Sequence, residues 1–202
     1  MSLPALTLFH SSQTRSTGVL ILLEELQLPV DIVRVSFKDQ PRDPRWLAAN
    51  PLGKVPALLA DGAAVTEQVA IYQFLAELKP EAGLCPAIGD ALRGPFLRWL
   101  AIYGSSFEPA MVDKALKREA GNRGMSPYGD AEAVVALVQQ QLAQGPWLLG
   151  ERFTAADVLW ASSLGWMTKF GLMPVTAEVS AYLARFEARP AVQKVRAAEA
   201  NA

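Results

Sequence analysis

Residues 50–59 of this 202-residue chain read Asn50-Pro51-Leu52-Gly53-Lys54-Val55-Pro56-Ala57-Leu58-Leu59, and residues 66–71 read Thr66-Glu67-Gln68-Val69-Ala70-Ile71. Proline has no backbone N–H to donate to a neighbouring strand, so Val55-Pro56 belongs at the start of a strand or at an exposed edge. An extended peptide could pair there with the backbone of Val55. Thr66 is a typical helix cap, and the N–H groups of a first helical turn attract anions. Together the two segments predict a pocket for a short, charged peptide.

The composition is that of an ordinary globular protein, with 51% apolar residues, 19% charged residues and a net charge of −1. No basic block is present, which argues against a nucleic acid or an anionic membrane as partner, and no apolar run is long enough to span a bilayer. The single cysteine, Cys85, excludes an internal disulfide. No His, Cys, Asp or Glu cluster has metal-ligand spacing, so we expect no metal site. With no export signal visible, we expect a cytoplasmic protein.

The hydrophobic pattern predicts two domains. The first, over residues 1–80, has the order β-α-β-α-β-β-α and is an α/β layer. Its predicted strands are 5–9, 33–37, 57–60 and 63–65, the last two joined in a hairpin by the turn signal Asp61-Gly62. The stripe Val19, Leu22, Leu23 and Leu26 predicts its first helix, which Pro29 ends, and the other predicted helices are 44–49 and 67–78. Prolines and glycines mark residues 81–89 as a linker. Residues 90–202 show only helical spacing, and the predicted helices there are 91–118, 130–144, one from 155 onward, 176–188 and 190–200. Thr154 can cap the helix from 155 onward, and Asp157 can reach back to it.

The chain resembles the cytosolic glutathione transferase superfamily, especially its bacterial members. Three motifs carry the resemblance across both predicted domains: residues 50–58, residues 66–71, and Trp147-Leu148-Leu149-Gly150-Glu151-Arg152-Phe153-Thr154-Ala155-Ala156-Asp157. The resemblance implies the glutathione transferase fold, an α/β thioredoxin-like N-terminal domain followed by an all-α C-terminal domain. It also implies a homodimer with a role in detoxification.

The same resemblance implies a set of residues that bind glutathione as the co-substrate. Val55, beside a cis Pro56, would pair with the cysteinyl backbone of glutathione. Glu67 would face the γ-glutamyl ammonium group, and the N–H groups at Glu67 and Gln68 would hold the γ-glutamyl carboxylate. Lys54 is the first candidate for the glycyl carboxylate, and Lys38 is the second.

Catalysis would require a glutathione thiolate, since a free thiol with a pKa near 8.5 is mostly protonated at neutral pH. A hydroxyl that donates to the sulfur and the positive end of a helix both lower that pKa, and the loop 11–16 before the first helix can supply both. No tyrosine precedes Tyr72, and Arg15 stands where cysteine-type relatives have their cysteine, so the resemblance implies a serine-type member. Aligning the loop on Arg15 selects Ser11, with Thr14 and Ser12 next, whereas a gapless register puts Gln13 in the catalytic place.

Two functions therefore stay open. One is a glutathione transferase that conjugates or adds glutathione to small apolar electrophiles, and the other is a non-catalytic glutathione-binding or ligand-carrier protein of the same fold, which Gln13 favours. His10, the only histidine, has no evident acid partner in the sequence and is interpreted as a structural polar group. The helical stripe Tyr103, Phe107 and Met111 is either core or the wall of an apolar pocket.

Overall fold

A computed structural model of the protein describes residues 2–119 and 121–200, which divide into two compact units. The strands of the first unit are β1 (Leu6–His10), β2 (Asp31–Arg34), β3 (Ala57–Ala60) and β4 (Ala63–Val65). They form one sheet in the order β2-β1-β3-β4. β1 runs parallel to β2, and β3 runs antiparallel to both β1 and β4. Asp61 and Gly62 turn with φ of +48° and +83°, so the predicted hairpin is confirmed.

Three helices accompany this sheet: α1 (Ser16–Leu26), α2 (Pro44–Ala49) and α3 (Gln68–Leu78). The predicted order β-α-β-α-β-β-α is thereby confirmed. α1 buries the apolar stripe that its spacing predicts, and it ends where Gln27 adopts a left-handed conformation. One buried apolar cluster of this unit contains Phe9, Val35, Trp46, Ala49, Val55 and Ala57.

Two predictions in this unit are wrong in detail. The strand predicted at 33–37 ends at Arg34, and Phe37 is 39% exposed, because it packs edge-on against Trp46 and not into a sheet face. Thr66 does not cap α3, since Glu67 occupies the cap position and the helix begins at Gln68.

The second unit, Gly83–Ala188, is helical. Its helices are α4 (Arg93–Ile102), α5 (Glu108–Ala115), α6 (Ala131–Leu142), α7 (Ala155–Lys169) and α8 (Ala177–Glu187). The single helix predicted over 91–118 is interrupted by a π-helical turn at Tyr103–Phe107. Pro109 follows this turn and has no N–H for the carbonyl of Ser105, so the regular α-helical ladder cannot continue there.

An aromatic cluster fills the centre of the second unit. Trp160 packs edge-on against Trp99 and Tyr103, with ring centroids 5.3 and 5.5 Å away, and its Nε1–H donates to the carbonyl of Trp99. Tyr103, Phe107 and Met111 are at most 1% exposed. Of the two interpretations of this stripe, the core one is confirmed.

The start of α7 is fixed by the fully buried carboxylate of Asp157. Its Oδ2 accepts from the N–H and the hydroxyl of Thr154 at 2.8 and 3.0 Å. Its Oδ1 accepts from the N–H of Leu148 at 2.8 Å and from the hydroxyl of Tyr182 at 3.2 Å. Burial raises the pKa of Asp157 to about 6, although these four donors oppose the rise. The carboxylate therefore ties α7 to the preceding loop and to α8.

The last helix, α9 (Pro190–Ala200), groups with the first unit, which contains the chain up to Ala82 and the segment from Arg189 onward. It docks on α1 through two ion pairs, Arg189 with Glu25 and Lys194 with Glu24. The sequence pattern placed this helix with the other C-terminal helices, and such long-range pairing leaves no local signal. The boundaries 1–80, 81–89 and 90–202 stay a prediction.

Candidate functional site

Three segments of the first unit meet at one end of the sheet. Phe9 of β1 pairs with Ala57 of β3 in antiparallel register, so Ser11 leaves β1 beside the point where Val55 enters β3. Leu58 of β3 pairs with Val65 of β4, so Glu67 follows β4 at the same end. Since neighbouring strands lie about 4.8 Å apart, the strand register alone brings the predicted binding and catalytic segments together.

The segment before β3 presents a backbone edge. The Val55–Pro56 peptide bond is cis, as the resemblance implies, and both side chains are buried. Among the described residues, no hydrogen bond is made to the backbone N–H or carbonyl of Val55, whereas Ala57 pairs with β1. Both polar groups of Val55 are therefore available to an extended ligand.

Lys54 is held in place by its backbone. Its carbonyl accepts from Trp46 Nε1–H at 3.0 Å and from the Asn50 side-chain amide at 3.1 Å. Its side chain is exposed, as is that of Lys38, so each lysine stays a candidate for an anionic group of a ligand.

Gly53 permits the turn that leads into this edge, because its φ is +59°. We expect Gly53→Ala to lower the free energy of unfolding by about 1–2 kcal/mol, since a Cβ makes the left-handed conformation costly. The new Cβ would also lie 2.5 Å from Arg42 Nη1 and displace that side chain from its position over Trp46. Chemical denaturation measures the cost.

Gly62→Ala is the matched control for this prediction. It has the same backbone penalty at φ +83° but no neighbour within 4 Å of the added Cβ. We expect only Gly53→Ala to weaken ligand binding at the Val55 edge. Equal binding by the two variants would show that the Gly53 turn does not position that edge.

Glu67 has the most unusual backbone conformation at this end of the sheet. Its φ of +66° and ψ of 124° lie outside the regions that residues with a Cβ favour, and its side chain is exposed. Such a conformation costs on the order of 1–3 kcal/mol and occurs mainly at functional sites. It places a carboxylate at the start of α3, next to the N–H groups of the first helical turn.

The loop between β1 and α1 uses most of its hydroxyl groups internally. Thr14 donates to the carbonyl of Ser11 at 2.7 Å. Ser12 accepts from Arg34 at 2.9 Å and donates to Glu199 at 3.3 Å. Within the described part of the chain, the half-buried hydroxyl of Ser11 has no partner. Of the three predicted candidates, Ser11 alone keeps a hydroxyl available for a ligand atom.

Gln13, the residue in the alternative register, lies in the same loop but is exposed with φ of +56°. Its backbone N–H donates to Glu199 Oε2 at 3.4 Å. Gln13 therefore helps to fix the conformation of the loop through its backbone N–H.

Sequence reasoning missed the acid partner of His10. The ring is fully buried, with Nε2 3.1 Å from Glu199 Oε1 and Nδ1 2.8 Å from Ser16 Oγ. Burial lowers the pKa of His10, although Glu199 opposes this. For Glu199 burial acts to raise the pKa, but His10, Thr17 and Gln13 outweigh it and the net shift is downward. One signal was available, because Glu199 continues the buried stripe Val192 and Val195 of α9.

None of the helices in the described residues has the length and apolar character needed to cross a membrane. In residues 2–119 and 121–200, no group of three or more His, Cys, Asp or Glu side chains is placed to hold a metal ion.

The comparisons with known proteins match both units. The family model for the glutathione S-transferase N-terminal domain matches residues 4–77, and the model for the C-terminal domain matches residues 128–195. The crystal structure of a glutathione transferase from Methylococcus capsulatus superposes with a TM-score of 0.82 at 31% identity, covering 98% of this chain and 100% of that one. The chain belongs to the glutathione S-transferase superfamily.

Two other members show how widely the likeness extends within the glutathione S-transferases. A sphingomonad glutathione S-transferase, solved in complex with glutathione, has a TM-score of 0.80 and 30% identity, covering 97% of this chain and 100% of that one. Glutathione S-transferase GstA of Escherichia coli O157:H7 is 29% identical over 156 residues, which are 76% of this chain and 78% of GstA. The fold predicted from the resemblance, a thioredoxin-like unit followed by a helical one, is confirmed.

Proposed function

We propose that this superfamily member binds glutathione as a thiolate and conjugates it to small apolar electrophiles. Glutathione would pair its cysteinyl backbone with Val55 beside Pro56, with Lys54 near its glycyl carboxylate. Its γ-glutamyl end would lie against Glu67 and Gln68 at the start of α3. The available backbone groups of Val55 and the strained Glu67 support this placement, because both lie at the same end of the sheet.

The observation that carries the catalytic part is that the Ser11 hydroxyl has no hydrogen-bond partner among residues 2–119 and 121–200. Ser12 and Thr14 donate their hydroxyl protons to Glu199 and to the Ser11 carbonyl, so neither proton is available to sulfur. Ser11 stands just before α1, whose N-terminal end also favours a negative charge. A thiolate there would accept a hydrogen bond from Ser11 and attack the electrophilic carbon of the co-substrate, whose leaving group departs with the bond electrons.

We expect Ser11→Ala to raise the pKa of the bound glutathione thiol by about 1–2 units, because a hydrogen bond to a charged group is worth about 1.5–3 kcal/mol. The ultraviolet absorbance of the thiolate, titrated from acid to alkaline pH, measures this pKa. Ser11→Thr keeps the hydroxyl and is the matched control. If bound glutathione forms no thiolate at neutral pH in the unaltered protein, the transferase proposal fails and the non-catalytic binding protein is favoured.

We also propose a cytoplasmic location and a homodimer, both of which membership of the superfamily supports. Detoxification is the role that such conjugation would serve.

A further inference from the structure

A single carboxylate from the last helix organises the loop that carries Ser11. Glu199 is 7% exposed and receives four hydrogen bonds or close contacts from β1, the loop and α1. Its Oε1 contacts His10 Nε2 at 3.1 Å and the Ser12 hydroxyl at 3.3 Å. Its Oε2 accepts from the Gln13 N–H at 3.4 Å and from the Thr17 hydroxyl at 3.0 Å. Arg34 Nη1 lies 3.7 Å from Oε1 and adds a positive charge from β2.

The protons in this network have a defined direction. A carboxylate can only accept, so His10 must present an N–H at Nε2 to Glu199. In the neutral ring Nδ1 is then an acceptor for the Ser16 hydroxyl, which lies 2.8 Å from it and 3.2 Å from the Ser11 carbonyl, its other acceptor. The oxygen of Ser16 in turn accepts the backbone N–H of Ser11 at 3.2 Å. A chain of hydrogen bonds therefore runs from the Ser11 amide through Ser16 and His10 to Glu199.

This series of hydrogen bonds fixes the backbone of Ser11 but does not include its side-chain hydroxyl. The Ser11 N–H is held by Ser16, and its carbonyl is held by Thr14 at 2.7 Å. The Ser16–His10–Glu199 series has the groups of a hydrolase triad, but Ser16 and His10 are both 0% exposed. No substrate can reach the Ser16 hydroxyl, so the series can act only through the loop that it holds.

We propose that Glu199 and His10 are positioning residues for Ser11, which they orient toward the glutathione sulfur through Ser16. The inference rests on the proposed function. It makes α9 part of the catalytic apparatus of the first unit, because removing the Glu199 carboxylate would leave His10, Ser12, Gln13 and Thr17 without their common acceptor.

The test compares Glu199→Gln with Glu25→Gln. Glu25 binds Arg189 at 2.6 and 2.8 Å, so its replacement weakens the docking of α9 on α1 without touching the loop. We expect Glu199→Gln to raise the pKa of the bound glutathione thiol by about one unit, and to lower kcat with an aryl halide electrophile by about tenfold. The KM for glutathione should change by less than about twofold, because Val55 and Glu67 lie outside the network. Glu25→Gln should change none of these.

Hydrogen exchange at the Ser11 amide, measured without glutathione, separates the two proposals. Faster exchange in Glu199→Gln but not in Glu25→Gln would support the role of Glu199 in positioning Ser11, independently of the reaction that the protein catalyses. If Glu199→Gln does not fold, the thiol pKa of Ser16→Ala decides, since this variant cuts the series but keeps all contacts of Glu199. Its exchange rate at Ser11 rises in any case, because Ser16 is itself the acceptor of that N–H. Unchanged exchange and an unchanged thiol pKa in the folded variants would overturn the inference and leave the proposed function standing. Absence of a thiolate in the unaltered protein would instead overturn the proposed function.

Discussion

Asp157→Ala is expected to lower the free energy of unfolding by about 3–5 kcal/mol, because four donors lose their acceptor inside the second unit. The donors belong to Leu148, Thr154 and Tyr182, and all are buried. Denaturant titration, monitored by tryptophan fluorescence, measures this decrease in the free energy of unfolding. Four tryptophans lie in this unit: Trp99, Trp147, Trp160 and Trp166.

Asp130→Ala is the matched control for Asp157→Ala. Asp130 also caps a helix, α6, by accepting the Ala133 N–H at 2.6 Å, but its side chain is 36% exposed. Water can replace that bond, so we expect a cost of only about 1 kcal/mol. Similar losses in the two variants would mean that burial of the Asp157 carboxylate contributes nothing beyond ordinary capping.

The effect of Asp157 on stability should depend on pH with a definite sign. The pKa of Asp157 is raised to about 6 in the folded protein, above its unfolded value of about 3.9. The folded state therefore binds the proton more tightly, and the stability that this provides is present below the unfolded pKa and is lost as pH rises through about 6. Lowering the pH from 7 to 5 should raise the stability of the unaltered protein relative to Asp157→Asn by roughly 1 kcal/mol.

The elements that the sequence predicts best are those with short-range causes. Asp61-Gly62 specifies its turn locally, and the strands on either side follow from it. Val55-Pro56 marks a strand start because proline lacks a donor. The capping pair Thr154 and Asp157 is three residues apart, so its spacing is visible, whereas the added bond from Tyr182 is not.

Long-range partners could not be predicted in this way. His10 and Glu199 are 189 positions apart, and nothing near His10 indicates that an acid will pack against it. The conformation of Glu67 is also invisible in the sequence, where Thr66 is the better helix cap. Thr66 loses this role because the helix begins one residue later, at Gln68, and Glu67 takes the strained position. Both failures lie at the proposed active end of the sheet, where function competes with local preference.

Glu67 gives the second large prediction, in which binding and stability change in opposite directions. We expect Glu67→Gln and Glu67→Gly each to weaken glutathione binding about 10- to 100-fold, because glutamine keeps the proposed contact with the γ-glutamyl ammonium group but not its charge, and glycine removes the contact. Isothermal titration calorimetry measures both affinities. Glu178→Gln is the matched control, since Glu178 lies in the first turn of α8 and belongs to the second unit.

Only Glu67→Gly should also stabilise the protein. Glycine has no Cβ to make φ of +66° costly, so we expect it to raise the free energy of unfolding by about 1 kcal/mol relative to Glu67→Gln. A stability gain together with a loss of affinity would mean that the backbone strain at Glu67 is maintained because the carboxylate must face the ligand from this position. If Glu67→Gly lowers the free energy of unfolding while glutathione still binds normally, Glu67 stabilises the fold in this conformation and the γ-glutamyl group has another partner.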